Sequence, residues 1–396
     1  MSGRFVNRDM SGPADGETDE RAGGGTDELV DLTERLVTIP SHEDEAAAGD
    51  AIAEWLHAET DARVERDDVG NVLAFRGATD PDTPTLALVG HHDVVPPAEQ
   101  QTTGDGTDGE YVVDRRDDRI HGRGTADMKG AVAACMLAFR DADVPAGREL
   151  GFASFVGEEV GGTGVRHAID RGFGPDHALV AEGSTNYSAR GVTDVAVAHK
   201  GRRGSTLVAR GESAHASEPG AGENAVYRAC DAVAVVRELD APETEVFGEP
   251  VRGSIAVTKL HGGETWNVIP DRCAVTVDER TVPGDRADLA RAADLPGIEW
   301  TVEQDLPPMA CDDAAFADAA LASARAAHDD RDPASPEHVV KPHATDAGWL
   351  AAAGTDCVVC GPAEPGEAHT DTESVGIDVL ERCYRIYADL AEREWS

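Results

Sequence analysis

The sequence predicts an α/β protein in two parts: a mixed sheet flanked by helices, and an α+β segment inserted into it. Three observations predict it. Short apolar runs recur that end in a polar residue, a turn and then a helix, the pattern of strands joined by crossover helices. Over residues 201–305 the texture changes to strands with partial alternation, such as GSIAVTKLHG and CAVTVDERTV. Past residue 309 the first texture returns. The expected organisation is one discontinuous domain, 26–198 with 309–396, interrupted by a second domain at 199–308. Residues 1–25 are rich in Gly, Asp, Glu and Ser and lack periodicity. They are expected to form a disordered acidic tail.

Leu29, Leu32 and Leu36 recur at helical spacing, and Ile52, Trp55 and Leu56 mark a second helix. Two short strands follow, near 63–64 and 71–75. The apolar run 86–89 then ends in GHHDVVPP, residues 90–97. His91 and Asp93 share a face, because strand side chains alternate. An imidazole beside a carboxylate that fixes its tautomer suits a metal; an ordinary polar loop explains the same residues. Segment 96–118 reads as a loop and leads into GRGTADMKG and a helix at 131–139. Asp127 is then either an N-cap carboxylate or a ligand on a Gly-flanked turn. The strand LGFASFV ends in Glu158 and Glu159. Adjacent carboxylates repel, which a metal would relieve and a solvated acidic turn would tolerate. The strand 178–181 ends in Glu182. His215, between alanines in ESAHASEP, reads by itself as a structural or surface residue. Strands at 338–341 and 357–360, the turn Thr345-Asp346 and a helix at 374–394 complete the chain. Cys357 and Cys360 lie inside an apolar run, which a buried strand explains better than a redox pair. His91, Asp127, Glu159 and Glu182 would face one crevice at the carboxyl ends of strands. His369, in the loop after the last strand, is the further histidine that a two-metal site needs.

The chain has 76 Asp+Glu against 35 Lys+Arg, a formal net charge of −41. A nucleic-acid binder needs a basic footprint, and none is visible; an anionic membrane surface is excluded for the same reason. Acid spread along the whole chain predicts a hydrated surface suited to high salt, where self-repulsion is screened. No segment has the length and apolarity of a membrane span or a signal sequence. Seven cysteines, odd in number and scattered, fit a reducing interior. The expectation is a halophilic, cytoplasmic protein.

Taken in order, GHHDVVP, GRGTADMKG, GEE, AEGS, HASEP, NVIPD, TDAG and AHTDTE resemble the dinuclear zinc amidohydrolases. That family includes acetylornithine deacetylase, succinyl-diaminopimelate desuccinylase, aminoacylase and glutamate carboxypeptidase. The resemblance runs from about residue 26 to the end. It implies a zinc-aminopeptidase-like catalytic domain with an inserted lid and dimerisation domain. It implies two Zn²⁺, with Co²⁺ able to substitute: His91 and Glu182 on one, Glu159 and His369 on the other, Asp127 bridging. Asp93 would orient His91, and Glu158 would be the general base. His215 is similar to a lid histidine that, in dimeric members, reaches the partner's active site and steadies the oxyanion. Arg202, Asn267, Arg280 and Thr345 match positions that hold the substrate.

The implied partners are a small, carboxylate-bearing N-acyl amino acid and a second copy of the chain, paired through the insert. GRRGS at 201–205 is similar to the desuccinylase, which places that activity first, acetylornithine deacetylation second and aminoacylase or dipeptidase activity third. A non-catalytic association protein would have lost the base or a ligand, and all six positions are present.

Overall fold

The computed structural model describes residues 20–80, 83–103, 110–328 and 334–395. Of the expected tail, 1–19 lies outside the described residues. The first helix, α1 (Glu20–Val37), starts at Glu20 and not at Thr26. The tail expected from composition to residue 25 therefore ends earlier, since the helix span already includes the three glycines 23–25. Helix α2 (Ala46–Glu59) and strands β1 (Arg63–Arg66), β2 (Val72–Gly77) and β3 (Thr85–His91) follow. Next come α3 (Gly130–Asp141), β4 (Glu149–Phe155), α4 (Thr163–Asp170), β5 (His177–Val180) and β6 (Val195–His199). A second group is β7 (Gly201–Arg210), α5 (Ala225–Arg237), β8 (Ser254–Gly262), β9 (Arg272–Thr281) and β10 (Ile298–Leu306). The chain ends with β11 (Met309–Ala310), α6 (Ala314–Ala327), β12 (His338–Lys341), α7 (Asp346–Ala352), β13 (Asp356–Val359) and α8 (Ile377–Glu392).

The larger sheet has the order β1-β2-β4-β3-β5-β13-β6-β11, with β12 also on β6. Its middle, β4-β3-β5-β13, is parallel, and the flanks are antiparallel except for β12, which runs parallel to β6. Strand β3 shows why the interior strands read as unbroken apolar runs. Leu86 and Leu88 join one core with Leu29, Leu36, Phe139 and Ile386, while Ala87 and Val89 join the other with Val165 and Leu350. Helices cover both faces, so neither face of the strand needs polar residues. Cys357 and Cys360 are buried here and unbridged.

Strands β8-β9-β7-β10 form a separate antiparallel sheet. Along β9, burial alternates residue by residue, as for a sheet with one packed face. Val275 and Val277 pack with Leu207 and Ala209 against Ala225, Ala229 and Ala232 of α5. The chain leaves the larger sheet at His199 and rejoins it at Met309, and these two residues are paired directly.

The segment expected as a loop at 96–118 carries short ladders. Thr102–Thr103 pairs with Glu110–Tyr111, and Asp114–Arg116 pairs with Arg119–His121. The last of these strands also pairs with Ser374–Gly376. Such pairs are too short to leave a periodic signal in sequence.

Candidate metal centre and active site

The parallel core of the sheet puts four strand ends on one edge. His91 ends β3, Glu158 and Glu159 follow β4, Glu182 follows β5, and the loop after β13 carries His369. This is the crevice where open α/β sheets gather ligands. Asp127 arrives from the turn before α3. Gly122 and Gly124, at φ of 150° and 86°, let the chain bend there. Asp127 itself is non-helical, so it does not act as a simple N-cap.

The side chains converge in two groups that share Asp127. His91 Nε2 lies 3.1 Å from Asp127 Oδ1 and 3.4 Å from Glu182 Oε1. His369 Nε2 lies 3.2 Å from Asp127 Oδ2 and 2.9 Å from Glu159 Oε1. One carboxylate oxygen of Asp127 thus faces each histidine. His369 holds a left-handed backbone, φ 65°, which is rare outside glycine and is found where the surroundings impose it.

Asp93 sits beneath this cluster. Its carboxylate is 3.2 Å from His91 Nδ1 and accepts the backbone N–H groups of Glu158 and Glu159, at 3.1 and 3.0 Å. It therefore orients an imidazole and the acidic turn together. His92 points the other way and pairs with Ser154 Oγ at 2.9 Å. Burial and nearby Lys129 and Arg66 push its imidazole down to about 3, so it stays neutral.

The electrostatics ask for positive charge. Burial raises Glu158 well above the usual carboxylate range, and burial also raises Glu159. Burial opposes ionisation of Asp127, but hydrogen bonds from His369 and His91 hold it low. Hydrogen bonds to Asp127 and Glu159 carry His369 up to about 10. Carboxylates this crowded are costly unless cations neutralise them. The donor set is imidazole and carboxylate only, which suits zinc and its borderline relatives. His91 with Asp127 and Glu159, and His91 with Glu158 and Glu182, each place their ligand atoms within 4.8 Å of one another. These two sets share His91, so two divalent cations fit only as His91 with Glu182 and His369 with Glu159, each pair facing one oxygen of Asp127.

Above the cluster lies a cavity of about 420 Å³. Asp127, Glu158, Glu159, Glu182 and His369 form its floor, and Arg202, Gln304 and Leu306 reach in from the second sheet. Lys341 and His343 also line it, and the sequence reading missed both. Lys341 is buried at the end of β12. Its Nζ donates to Gly183 O at 2.7 Å and lies 3.6 Å from Glu182 Oε2. It follows the same pattern of a polar residue after an apolar run, and it is one of only four lysines in the chain. Glu373, at the end of AHTDTE, was also missed and packs behind Asp127.

The remaining expected residues are placed as follows. Arg202 is ion-paired to Asp278 at 2.8 Å, and Arg280 pairs with the same carboxylate at 2.9 Å. Thr345 caps α7, accepting the Ala347 N–H at 3.2 Å. Of the expected substrate residues only Arg202 lines the cavity; Arg280, Thr345, His215 and Asn267 are not among the residues lining it in their own chain. His215 is exposed in a short strand opposite Val268.

Comparison with known proteins agrees with this architecture. The profile of peptidase family M20/M25/M40 matches residues 87–393. An acetylornithine deacetylase of Myxococcus xanthus is 29% identical over 348 residues, covering 81% of this chain and 84% of that protein. A probable carboxypeptidase of Aspergillus terreus is 31% identical over 65% of this chain and 61% of its own length. An acetylornithine deacetylase of Klebsiella pneumoniae is 31% identical over 50% of this chain, which spans about half of that relative (51%). Among solved structures, an aminopeptidase of Bacillus cereus shares the fold with a TM-score of 0.74 at 19% identity, covering 93% of this chain and 98% of that one. A dinuclear metal-binding peptidase of Bacillus subtilis does so with a TM-score of 0.66 at 16% identity, covering 93% and 98%. With the family profile matched across most of its length, the chain belongs to peptidase family M20/M25/M40 and is a metal-dependent hydrolase of amide bonds.

Proposed function

We propose that the protein removes an N-acyl group from a small, carboxylate-bearing amino acid, using two zinc ions. The observation that carries this reading is Asp127, with one oxygen toward each of two histidines at the floor of the cavity. His91 and Glu182 would hold one cation and Glu159 and His369 the other, with Asp127 shared; cobalt is expected to substitute. When bound, such a pair polarises an amide carbonyl and lowers the pKa of water.

The protein's own groups do the rest. Glu158 takes the proton of the attacking water and delivers it to the leaving amine nitrogen. Asp93 keeps the Glu158 turn and His91 in register. Arg202 supplies a planar fork suited to a carboxylate, and Lys341 adds a second positive charge to the cavity wall. Asn267, Arg280 and Thr345 are assigned to the substrate in the same reading. His215 steadies the oxyanion from the partner subunit. Support for a homodimer comes from the second sheet. One of its two outer strands is β8, which carries exposed Leu260 and is followed by exposed Trp266 and Val268, a surface that invites pairing.

For the substrate, GRRGS favours a desuccinylase-like activity and the named relatives favour an acetylornithine-type substrate. Both are N-acyl diamino acids with a free carboxylate. A panel of N-succinyl-diaminopimelate, N-acetylornithine and simple N-acetyl amino acids, with zinc or cobalt added, tests the reading. Turnover is expected for at least one diamino acid and is expected to vanish when its α-carboxylate is amidated. Inactivity across the whole panel would refute it.

A further inference from the structure

The proposed chemistry leaves Glu373 without a task, although its surroundings are specific. The residue is 2% exposed. One oxygen, Oε1, accepts three backbone N–H groups: Gly124 at 2.9 Å, Ala126 at 3.0 Å and Asp127 at 3.2 Å. The other, Oε2, pairs with Arg123, which is 3% exposed. The Glu373 carbonyl also accepts the Gly122 N–H at 3.1 Å. The whole turn from Gly122 to Asp127 is wrapped around one residue.

Stability alone is a poor reason for this arrangement. Removing two charges from water is costly, and a buried pair often returns no more than an apolar one would. The turn has a different need. It bends through Gly122 and Gly124, and both Asp127 and Met128 are non-helical, so its buried N–H groups lack helical partners. Oε1 of Glu373 supplies them. Its position in the chain matters as well. His369 lies four residues before Glu373, and Ser374–Gly376 pairs with Arg119–His121 just before the turn. Glu373 is therefore the point where the segment bearing His369 is fastened to the segment bearing Asp127.

We propose that Glu373 is a positioning residue that sets Asp127 between the two cation positions, with Arg123 holding Glu373 in turn. This rests on the reading of Asp127 as the shared ligand. Outer partners of metal ligands are commonly worth a factor of about 10 to 100 in metal affinity.

The test is cation binding to the full-length protein, read by stoichiometry after equilibrium dialysis, by calorimetry and by the visible absorption of the cobalt-loaded form. The native protein is expected to take two cations. Glu373→Ala is expected to keep the first and to bind the second about 10- to 100-fold more weakly, with a changed cobalt spectrum. The double variant Glu373→Gln with Arg123→Met keeps an acceptor oxygen for the three N–H groups and leaves no buried guanidinium unpaired. It is expected to restore the second affinity. Two cations bound at native affinity in Glu373→Ala would overturn the proposal. So would a double variant that binds the second cation as weakly as the alanine variant. A role in folding alone would weaken both affinities equally, which also overturns it. If the alanine variant does not fold, the double variant decides alone. Fewer than two cations on the native protein would bring down the dinuclear reading, and this inference with it.

Discussion

Glu158 and Glu159 are neighbours in sequence that face different tasks. Glu159 reaches His369, while Glu158 is half-buried in the cavity lining, and desolvation lifts its carboxyl well above the normal range. In the proposed reaction Glu158 binds no cation. Glu158→Ala is therefore expected to keep both metals and lose about 10²- to 10⁴-fold in turnover, the range of general acid–base catalysis. Metal analysis and turnover on the same preparation check this, and native turnover would end the assignment. The two residues also show what sequence can reveal. His91, Asp127, Glu182 and His369 stand out because each punctuates an apolar run or a glycine-rich turn. Glu373 does not, since one acid among 76 Asp+Glu carries no contrast. Lys341 was overlooked for a related reason: a lysine after a short strand looks like a solvated end, and only the neighbouring Gly183 carbonyl and Glu182 show its burial.

Among the elements, the strands were the most legible, because burial on both faces leaves a continuous apolar signature. Helix starts were less so, as α1 shows, since its span includes three consecutive glycines, the residue that helix propensity ranks just above proline. The short helix α7 shows a constraint that no pattern reveals. A Cβ on Gly348 would stand 2.2 Å from the Pro307 carbonyl oxygen and 3.1 Å from His199 Cε1. The helix thus rests directly on the backbone where the second sheet rejoins the first. Gly348→Ala would gain about 1 kcal/mol of helix propensity. It would lose about 1–3 kcal/mol to overpacking against an oxygen that cannot swing aside. The net expectation is destabilisation, read as a lower denaturant midpoint. A midpoint equal to or above native would show that the Pro307 segment yields.

For the whole molecule, the dominant quantity is the charge of −41. Repulsion among that many acids is screened within about 3 Å at 1 M salt and reaches about 30 Å at 0.01 M. Circular dichroism is expected to show a folded protein in molar KCl and loss of structure in dilute buffer. Light scattering in molar salt is expected to give twice the chain mass. Full structure in dilute buffer would remove the halophilic reading, and a monomer in salt would remove the dimer. The acidity and the order of motifs were plain in the sequence. The cavity was not, because its wall comes from two sheets far apart in the chain. The paired residues His199 and Met309 give that division a further meaning. Strands β6 and β11 form a hairpin whose tip has been opened, with residues 200–308 standing where a turn of two residues would do. The tip reaches back to both parts of the molecule: Arg202, Gln304 and Leu306 line the cavity, and Val246, Val251 and Val282 pack into the core beside Leu86 and Leu88. A substitution far out in the opened turn can thus be felt at a site whose cation-facing residues, His91, Glu159, Glu182 and His369, all lie outside it.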